Sequence, residues 1–482
     1  MDPEENDSSS ERETTPDWHD IGEEKKPRND VSLRYGKPHD WTEDNDTEQS
    51  HWCYLPDLIM ERIFSYLTIS ERYSASMVCK RWNSAFYLPY VWHVFLFDEY
   101  TLTRRRFNYY SGWQHTLDHL RAQLCLGTVG RFFQVIIFTP ITNFYNMYEF
   151  MNMISFYAEQ QDSDRCVVRG ISRNIKSLKY LFPCKILSGE EEDSSQDLPL
   201  YGTGGKLLEA VKRLLGNLTN LKRLELTDLM LDNSEAMTLL DDVCCERCES
   251  LRYLSLSNFT KGQYQLLHLG VFVNLQILVV GPQNLGEQVM ELISHTKLKH
   301  LHIVQTRLTP ASARSLSPKC WQAAAKQNPN MRVHLALETK TDRQLLWQEK
   351  APVNSILVDS PACKLEPDNV MRIIQWYSEN LRYFGYLGIP KYHQPKSFNE
   401  RMDPFLVMLV KECPKIETFV IREKVSTSTV LLVAEQCKSL KRYYVRRNAV
   451  ILKCDWPCNP NWEDSYFSWL KKIVKVLRRN RK

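Results

Sequence analysis

The chain has 482 residues, 43% hydrophobic and 11% aromatic, which supplies a large core and is too long for one small domain. No opening signal peptide is visible, and no apolar run approaches the roughly 18 residues needed to span a bilayer, so membrane functions are set aside. The 14 cysteines are too sparse for a disulfide framework, so a reducing cytoplasmic or nuclear setting is expected.

The net charge of +4 conceals an asymmetry, because residues 1–50 hold 16 Asp/Glu against 6 Lys/Arg. That acidic leader has almost no apolar periodicity and is expected to be disordered. The remainder is basic, which favours acidic partners without choosing between protein and nucleic acid.

A helix is expected from Leu55-Pro56, since proline suits a first turn whose N–H would be unpaired anyway. Leu55, Ile59, Ile63 and Leu67 fall four apart on one stripe. Thr68 and Glu71 make a capping box, so a second helix should follow directly, with Tyr73, Met77 and Val78 on its apolar side, leading to Trp82. A module of roughly forty residues has too little interior to hide this surface, and open apolar surface marks a partner site. The alternative is an ordinary helical subdomain packed on the rest of the chain.

Taken together, Leu55-Pro56, Ile63-Phe64, Leu67, Arg72, the run Val78-Cys79-Lys80-Arg81-Trp82 and Trp92 resemble an F-box, with Glu71 where many members carry Asp. The resemblance implies a non-catalytic docking subunit that binds a Skp-type linker and, through it, a cullin–RING scaffold. Residue by residue, the linker-facing set would be Leu55, Pro56, Ile59, Ile63, Leu67, Val78 and Trp82. Trp92 would pack the F-box against the first repeats of the C-terminal domain. The expected boundaries are 51–97 for the F-box and 98–130 for a helical linker.

From residue 131 to 465 the chain returns to Leu-x-x-Leu-x-Leu or an apolar equivalent. The copies are Leu221-Leu224-Leu226, Leu251-Leu254-Leu256, Leu275-Leu278-Val280, Leu298-Leu301-Ile303, Leu381-Phe384-Tyr386, Ile416-Phe419-Ile421 and Leu440-Tyr443-Val445. This periodicity predicts one strand and one returning helix per unit, with helices over Ser234–Cys244 and Val430–Cys437. The expected fold is α/β, an irregular leucine-rich-repeat solenoid or horseshoe behind a helical F-box. A generic parallel α/β protein is the alternative. The Asn that usually follows the last leucine is mostly missing, with Asn258 a partial match, so the turns must be held in another way. The segment Cys320–Glu338 and the repeats around it resemble the F-box-only proteins 39 and 33.

Three features suggest chemistry and do not sustain it. Gly202-Thr203-Gly204-Gly205-Lys206 has Leu200 and Leu207 where a phosphate loop needs Gly and Ser/Thr. Cys245/Cys248 and Cys454/Cys458 lack a matching second ligand pair, and Cys248, Cys413 and Cys437 each precede a repeat by three residues, a recurring core position. His295, His300 and His302 have no acidic or cysteine partner at metal-ligand spacing. No catalytic residue, metal site or cofactor is therefore expected.

Period-two alternation sends one set of strand residues to an open, concave side. Among them are Arg223, Glu225, Tyr253, Ile277, Val279, His300, His302, Tyr383, Arg422, Arg442, Tyr444 and Arg446. Arginine and tyrosine suit protein recognition, and the arginine forks suit an acidic or phosphorylated protein substrate. The basic end, 466–482, reads as a capping helix, an import signal or, with the distal arginines, a nucleic-acid patch. An F-box scaffold that acts without ubiquitin transfer is a further alternative.

Overall fold

The computed structural model of the chain describes residues 51–110, 112–160, 170–184, 202–458 and 462–479. The acidic leader and Arg481-Lys482 lie outside the described residues. Cys53–Lys482 form one compact unit.

The first elements are helical. Helix α1, Asp57–Tyr66, starts after Pro56, which sits at φ −59° as its N-cap. Helix α2, Ile69–Ser76, carries the expected capping box, the Thr68 hydroxyl accepting from the Glu71 amide while Glu71 accepts from the Thr68 amide. Helix α3, Lys80–Phe86, comes next, and then the single turn Pro89–Trp92.

Strand β1, Val94–Phe97, opens a sheet earlier than residue 131, and the stretch 98–130 is not wholly helical. It holds an antiparallel hairpin, β2 Thr103–Asn108 with β3 Gly112–Leu117, before helix α4, His119–Val129. The next strands are β4 Val135–Phe138, β5 Ser177–Leu181, β6 Arg223–Thr227, β7 Tyr253–Ser257, β8 Ile277–Val280, β9 His300–Thr306 and β10 Arg332–Glu338. They continue as β11 Val353–Asp359, β12 Tyr383–Leu387, β13 Thr418–Ile421, the short β14 Val425–Ser426 and β15 Arg442–Val445. Apart from β2, β3 and β14, these form one twelve-stranded sheet, every pair parallel and in chain order. Parallel neighbours need a crossover between them, and the helices Asn233–Arg247 and Thr427–Gln436 fill two of these at the expected places.

The leucine register holds through the core. Leu224, Leu254, Leu278 and Leu301 are cross-strand partners and are fully buried, as are Phe384 and Phe419 further along. The five strands outside those copies still bury alternate residues: Phe95 and Phe97 in β1, Ile136 and Phe138 in β4, Leu178 and Tyr180 in β5, Leu335 and Leu337 in β10, and Ile356 and Val358 in β11. Cys413 and Cys437 are buried and Cys248 is half-buried.

The turns are indeed held without a regular Asn ladder. Asn258, at φ +49°, donates to Asp228 at 2.6 Å and accepts from the Thr306 hydroxyl at 2.8 Å. Asn and Asp tolerate this left-handed region, and Asp228 itself sits at φ +61°. Near the distal end Arg401, Asp403 and Asp455 form a nearly dry network, to which the Ser426 amide donates at 2.9 Å. Helix Asp464–Arg479 buries Leu470 and Val474 beside helix Thr427–Gln436, which places it as a packed terminal helix. Among the described residues no helix is long and apolar enough to cross a membrane.

Candidate functional site

The helical module has more apolar residues than one face can hide. In α1 the buried stripe is Met60 and Phe64, both fully enclosed, with Trp82 edge-on to Phe64 at 5.8 Å. Leu55 and Leu67 are half-buried against the same core. Trp82 and Leu67 are likewise half-buried, the Trp82 ring packing between α1 and α3.

The open aliphatic residues lie at the start of α1 and just after α2: Leu58 at 79% exposure, Ile59 at 46%, Met77 at 44% and Val78 at 61%, with Pro56 also exposed and Ile63 half-buried; Trp52, Tyr54, Tyr66, Tyr87 and Tyr90 are exposed elsewhere on the module. Leu58 and Met77 extend the set read from the four-residue stripe. Leu58 is adjacent to that stripe, and the crowding of apolar residues at 58–60 and 63–64 is the signal for a second apolar face.

Arg72 holds the module together. It is buried, its Nε donates to the Phe64 and Leu67 carbonyls at 3.0 Å, and Nη2 reaches the Ser65 carbonyl at 3.4 Å. These carbonyls lie at and just past the end of α1, where few intrahelical donors remain, and that of Phe64 also accepts from the Leu67 amide at 3.1 Å. Desolvation lowers its pKa, and its guanidinium lies 5.0 Å from the Trp92 ring centroid. Trp92, 1% exposed, donates from Nε1 to the Phe86 carbonyl at 2.6 Å and stands two residues before β1.

The open sheet face carries most, not all, of the predicted positions. Register aligns Glu225, Ser255, Val279, His302, His334, Ser355, Tyr383, Thr418 and Arg442 across nine strands. Arg223 donates to Glu225 at 2.7 Å and lies 3.7 Å from the Tyr253 ring, and Lys179 pairs with Glu225 at 3.4 Å, so these charges are already matched. Arg442 and Tyr444 are exposed, and Tyr383 is half-buried two strands away, in register through Thr418.

Two of the arginines do not belong to that face. Arg422 follows the last residue of β13, leaves the pleat and is 2% exposed. Its guanidinium bonds the carbonyls of Ser360, Cys363 and Leu387 and lies beside Glu423, tying three strand exits together. Arg446 likewise follows β15 and is half-buried, with Nε and Nη1 closed off from solvent.

The histidines regroup. His295 caps the helix Glu287–Ser294 and meets Gln327 at 2.9 Å. His300 and His302 instead join His334, a residue the repeat pattern does not single out: His300 Nδ1 is 3.0 Å from His334 Nε2, and the His302 and His334 rings stack at 4.2 Å. His334 Nδ1 meets the Ser355 hydroxyl at 2.7 Å. Burial, reinforced by the other histidines and by Arg332, pushes His334 down to about 3, and burial with His300 pushes His302 down to about 4. The cluster is neutral at physiological pH, a set of hydrogen-bonding rings rather than of charges.

Residues 52–98 match the F-box-like family. Over 47 residues the chain is 45% identical to F-box/LRR-repeat protein 21 of Bos taurus, 43% to that of Mus musculus and 40% to that of Ovis aries. Each match covers 10% of this chain and 11% of the relative's length. Among solved structures, the crystal structure of a TLR13–ssRNA13 complex aligns with 67% of this chain and 44% of that chain, at 13% identity and a TM-score of 0.30.

Proposed function

We propose that this chain is the substrate-recognition subunit of a Skp–cullin–F-box type ubiquitin ligase. The observation that carries the reading is the open patch of Leu58, Ile59, Met77 and Val78, lying inside the segment that matches the F-box-like family, on a module whose own interior is already filled by Met60 and Phe64. Apolar anchors of this kind give most of the binding energy in a protein interface. Leu55, Pro56, Ile59, Ile63 and Val78, with Leu58 and Met77 added, face the Skp-type linker, and Leu67 and Trp82 support them from beneath. Trp92 and Arg72 form the joint that sets the distance from linker to substrate.

The twelve parallel strands are read as a degenerate leucine-rich-repeat solenoid, a layout that also resembles the F-box-only proteins 39 and 33. Its open face takes the protein substrate, with Tyr383, Arg442 and Tyr444 as distal contacts for an acidic or phosphorylated segment. The chain supplies no reacting group. A substrate lysine is held near a ubiquitin thioester carried by the cullin–RING scaffold, and the gain is proximity. The complex works in the cytoplasm or the nucleus and marks its substrate for proteasomal degradation.

The test is affinity purification of the full chain and of a Leu58→Asp/Val78→Asp variant from cells with the proteasome blocked. Linker and cullin should be lost from the variant while substrates remain or accumulate. Recovery of linker and cullin at wild-type level by a folded variant would overturn the reading. Loss of nucleic acid rather than protein from an Arg442→Glu variant would favour the nucleic-acid reading instead.

A further inference from the structure

The hairpin β2–β3 stands apart from both surfaces described so far. Its base is fixed: Thr103 and Leu117 are buried, the Leu117 amide donates to Asn146 Oδ1 at 2.7 Å, and Asn146 Nδ2 donates to the His115 carbonyl at 2.8 Å. These bonds tie β3 to helix α5, Phe144–Glu159. The rest projects, with Phe107 62%, Tyr109 86%, Tyr110 95% and Trp113 61% exposed.

Chemistry is sorted between the two faces. Pairing sets Arg105 opposite His115 and Phe107 opposite Trp113 on one side, and Arg104 opposite Thr116 and Arg106 opposite Gln114 on the other. On the first side the Arg105 guanidinium lies 4.8 Å from the Trp113 ring, Phe107 meets Trp113 edge-on at 5.4 Å, and Tyr100 meets His115 at 4.9 Å and 88°. From Thr103 to Leu117 the sequence has three arginines and no acidic residue, and the nearest carboxylate, Asp118, is a loose 3.9 Å from Arg104. β2 pairs with β3 alone, so its other edge carries no strand among the described residues.

We propose that the free edge of β2 takes an extended acidic peptide as a third strand. Backbone bonds to an exposed strand edge give affinity, and alternate side chains give specificity. A peptide in which carboxylates alternate with apolar residues would set its carboxylates against Arg104 and Arg106 and its apolar groups against Arg105 and Phe107, which Trp113 backs from β3. The unpaired edge of β2 offers backbone donors and acceptors at strand spacing, which an extended peptide matches and a nucleic-acid strand does not, so the geometry favours a peptide. This site is independent of linker docking, since none of its residues lies in the F-box segment 52–98.

The probe is a fluorescein-labelled peptide of Glu-Val repeats, with controls in which Gln replaces Glu or the same residues are arranged in blocks, and a single-stranded RNA of mixed sequence. Anisotropy with the full chain should show binding of the alternating peptide alone, weakened about tenfold or more by Arg104→Glu/Arg106→Glu and by Trp113→Ala. Both variants change exposed positions, and an unchanged urea midpoint marks them as folded. On the wild-type chain, hydrogen exchange at Arg104–Asn108 should slow when the peptide is added. Equal binding of the Gln or block peptides, tighter binding of the RNA, or no slowing of exchange would overturn the proposal. Arginines that merely shield an open edge from self-association would give that last result.

Discussion

Leu58 and Met60 are two residues apart on α1 and separate docking from folding. Leu58 is 79% exposed and Met60 is fully buried against Phe64 and its neighbours. Removing the outer part of the Leu58 side chain costs folding almost nothing, because solvent already surrounds it. If the patch docks on a Skp-type linker, burial of a leucine side chain is worth about 1.5–3 kcal/mol, and Leu58→Ala keeps only the methyl group. The expected loss is about 1.5 kcal/mol, near tenfold in affinity. Met60→Ala does the reverse. It opens a cavity in a filled core, costs about 2–5 kcal/mol of stability and weakens docking only through unfolding. Calorimetric titration of purified linker into each variant, beside urea unfolding, reads both quantities. A Leu58→Ala variant that binds like wild type would refute the assignment of the open patch to the linker. So would a fall in binding that merely tracks a fall in stability.

Arg422→Met should cost about 3 kcal/mol in urea unfolding, since it leaves the Ser360, Cys363 and Leu387 carbonyls without their donor and Glu423 without its neighbour; Arg442→Glu, at an exposed position, should stay within about 0.5 kcal/mol. Leu254→Asp puts a charge where exposure is zero and should unfold the sheet, whereas Tyr253→Asp should cost about 1 kcal/mol through lost stacking with Arg223, and equal proteolytic resistance of the two would refute the register. Acid should destabilise the chain through His302 and His334. Their folded pKa values, about 4 and about 3, lie below the ordinary 6.5, so the unfolded state binds more protons in between. Stability from the neutral cluster is complete above pH 6.5 and is lost as pH falls from there toward 4, and His302→Phe should flatten the urea midpoint against pH over that window.

The parts legible in the sequence are those fixed by local chemistry or by a strict period. Thr68 and Glu71 announce a helix start because their reciprocal bonds need only three residues of separation. Leu224, Leu254, Leu278 and Leu301 announce a register because a slip of one residue would turn every leucine outward. The illegible parts depend on what lies far away. Arg422 and Arg442 look alike in sequence, and only the carbonyls of strand exits some sixty residues upstream decide that the first is interior. His334 is invisible beside His300 until β10 pairs with β9. The hairpin is a different case, since its signal was present: aromatic residues on both sides of a loop ending in Gly112, which sits at φ +72°.

The basic excess of residues 51–482 invites a single broad attraction for acidic partners, and the structure divides it. Arg72, Arg401 and Arg422 are enclosed and bond carbonyls or carboxylates of the chain itself. Arg223 and Lys179 share Glu225, and Arg382 and Lys441 share Glu417, which those two partners hold below the usual carboxylate range. Charges matched in this way contribute little to an incoming anion, because binding it first requires breaking an existing pair. The open positive charge that remains for a partner includes Arg442 on the distal sheet, the arginines of β2, and Lys472, Lys475 and Arg479 on the helix Asp464–Arg479. Attraction for acidic proteins should therefore depend on those residues rather than on net charge, and neutralising Lys179 or Lys441 should leave it unchanged.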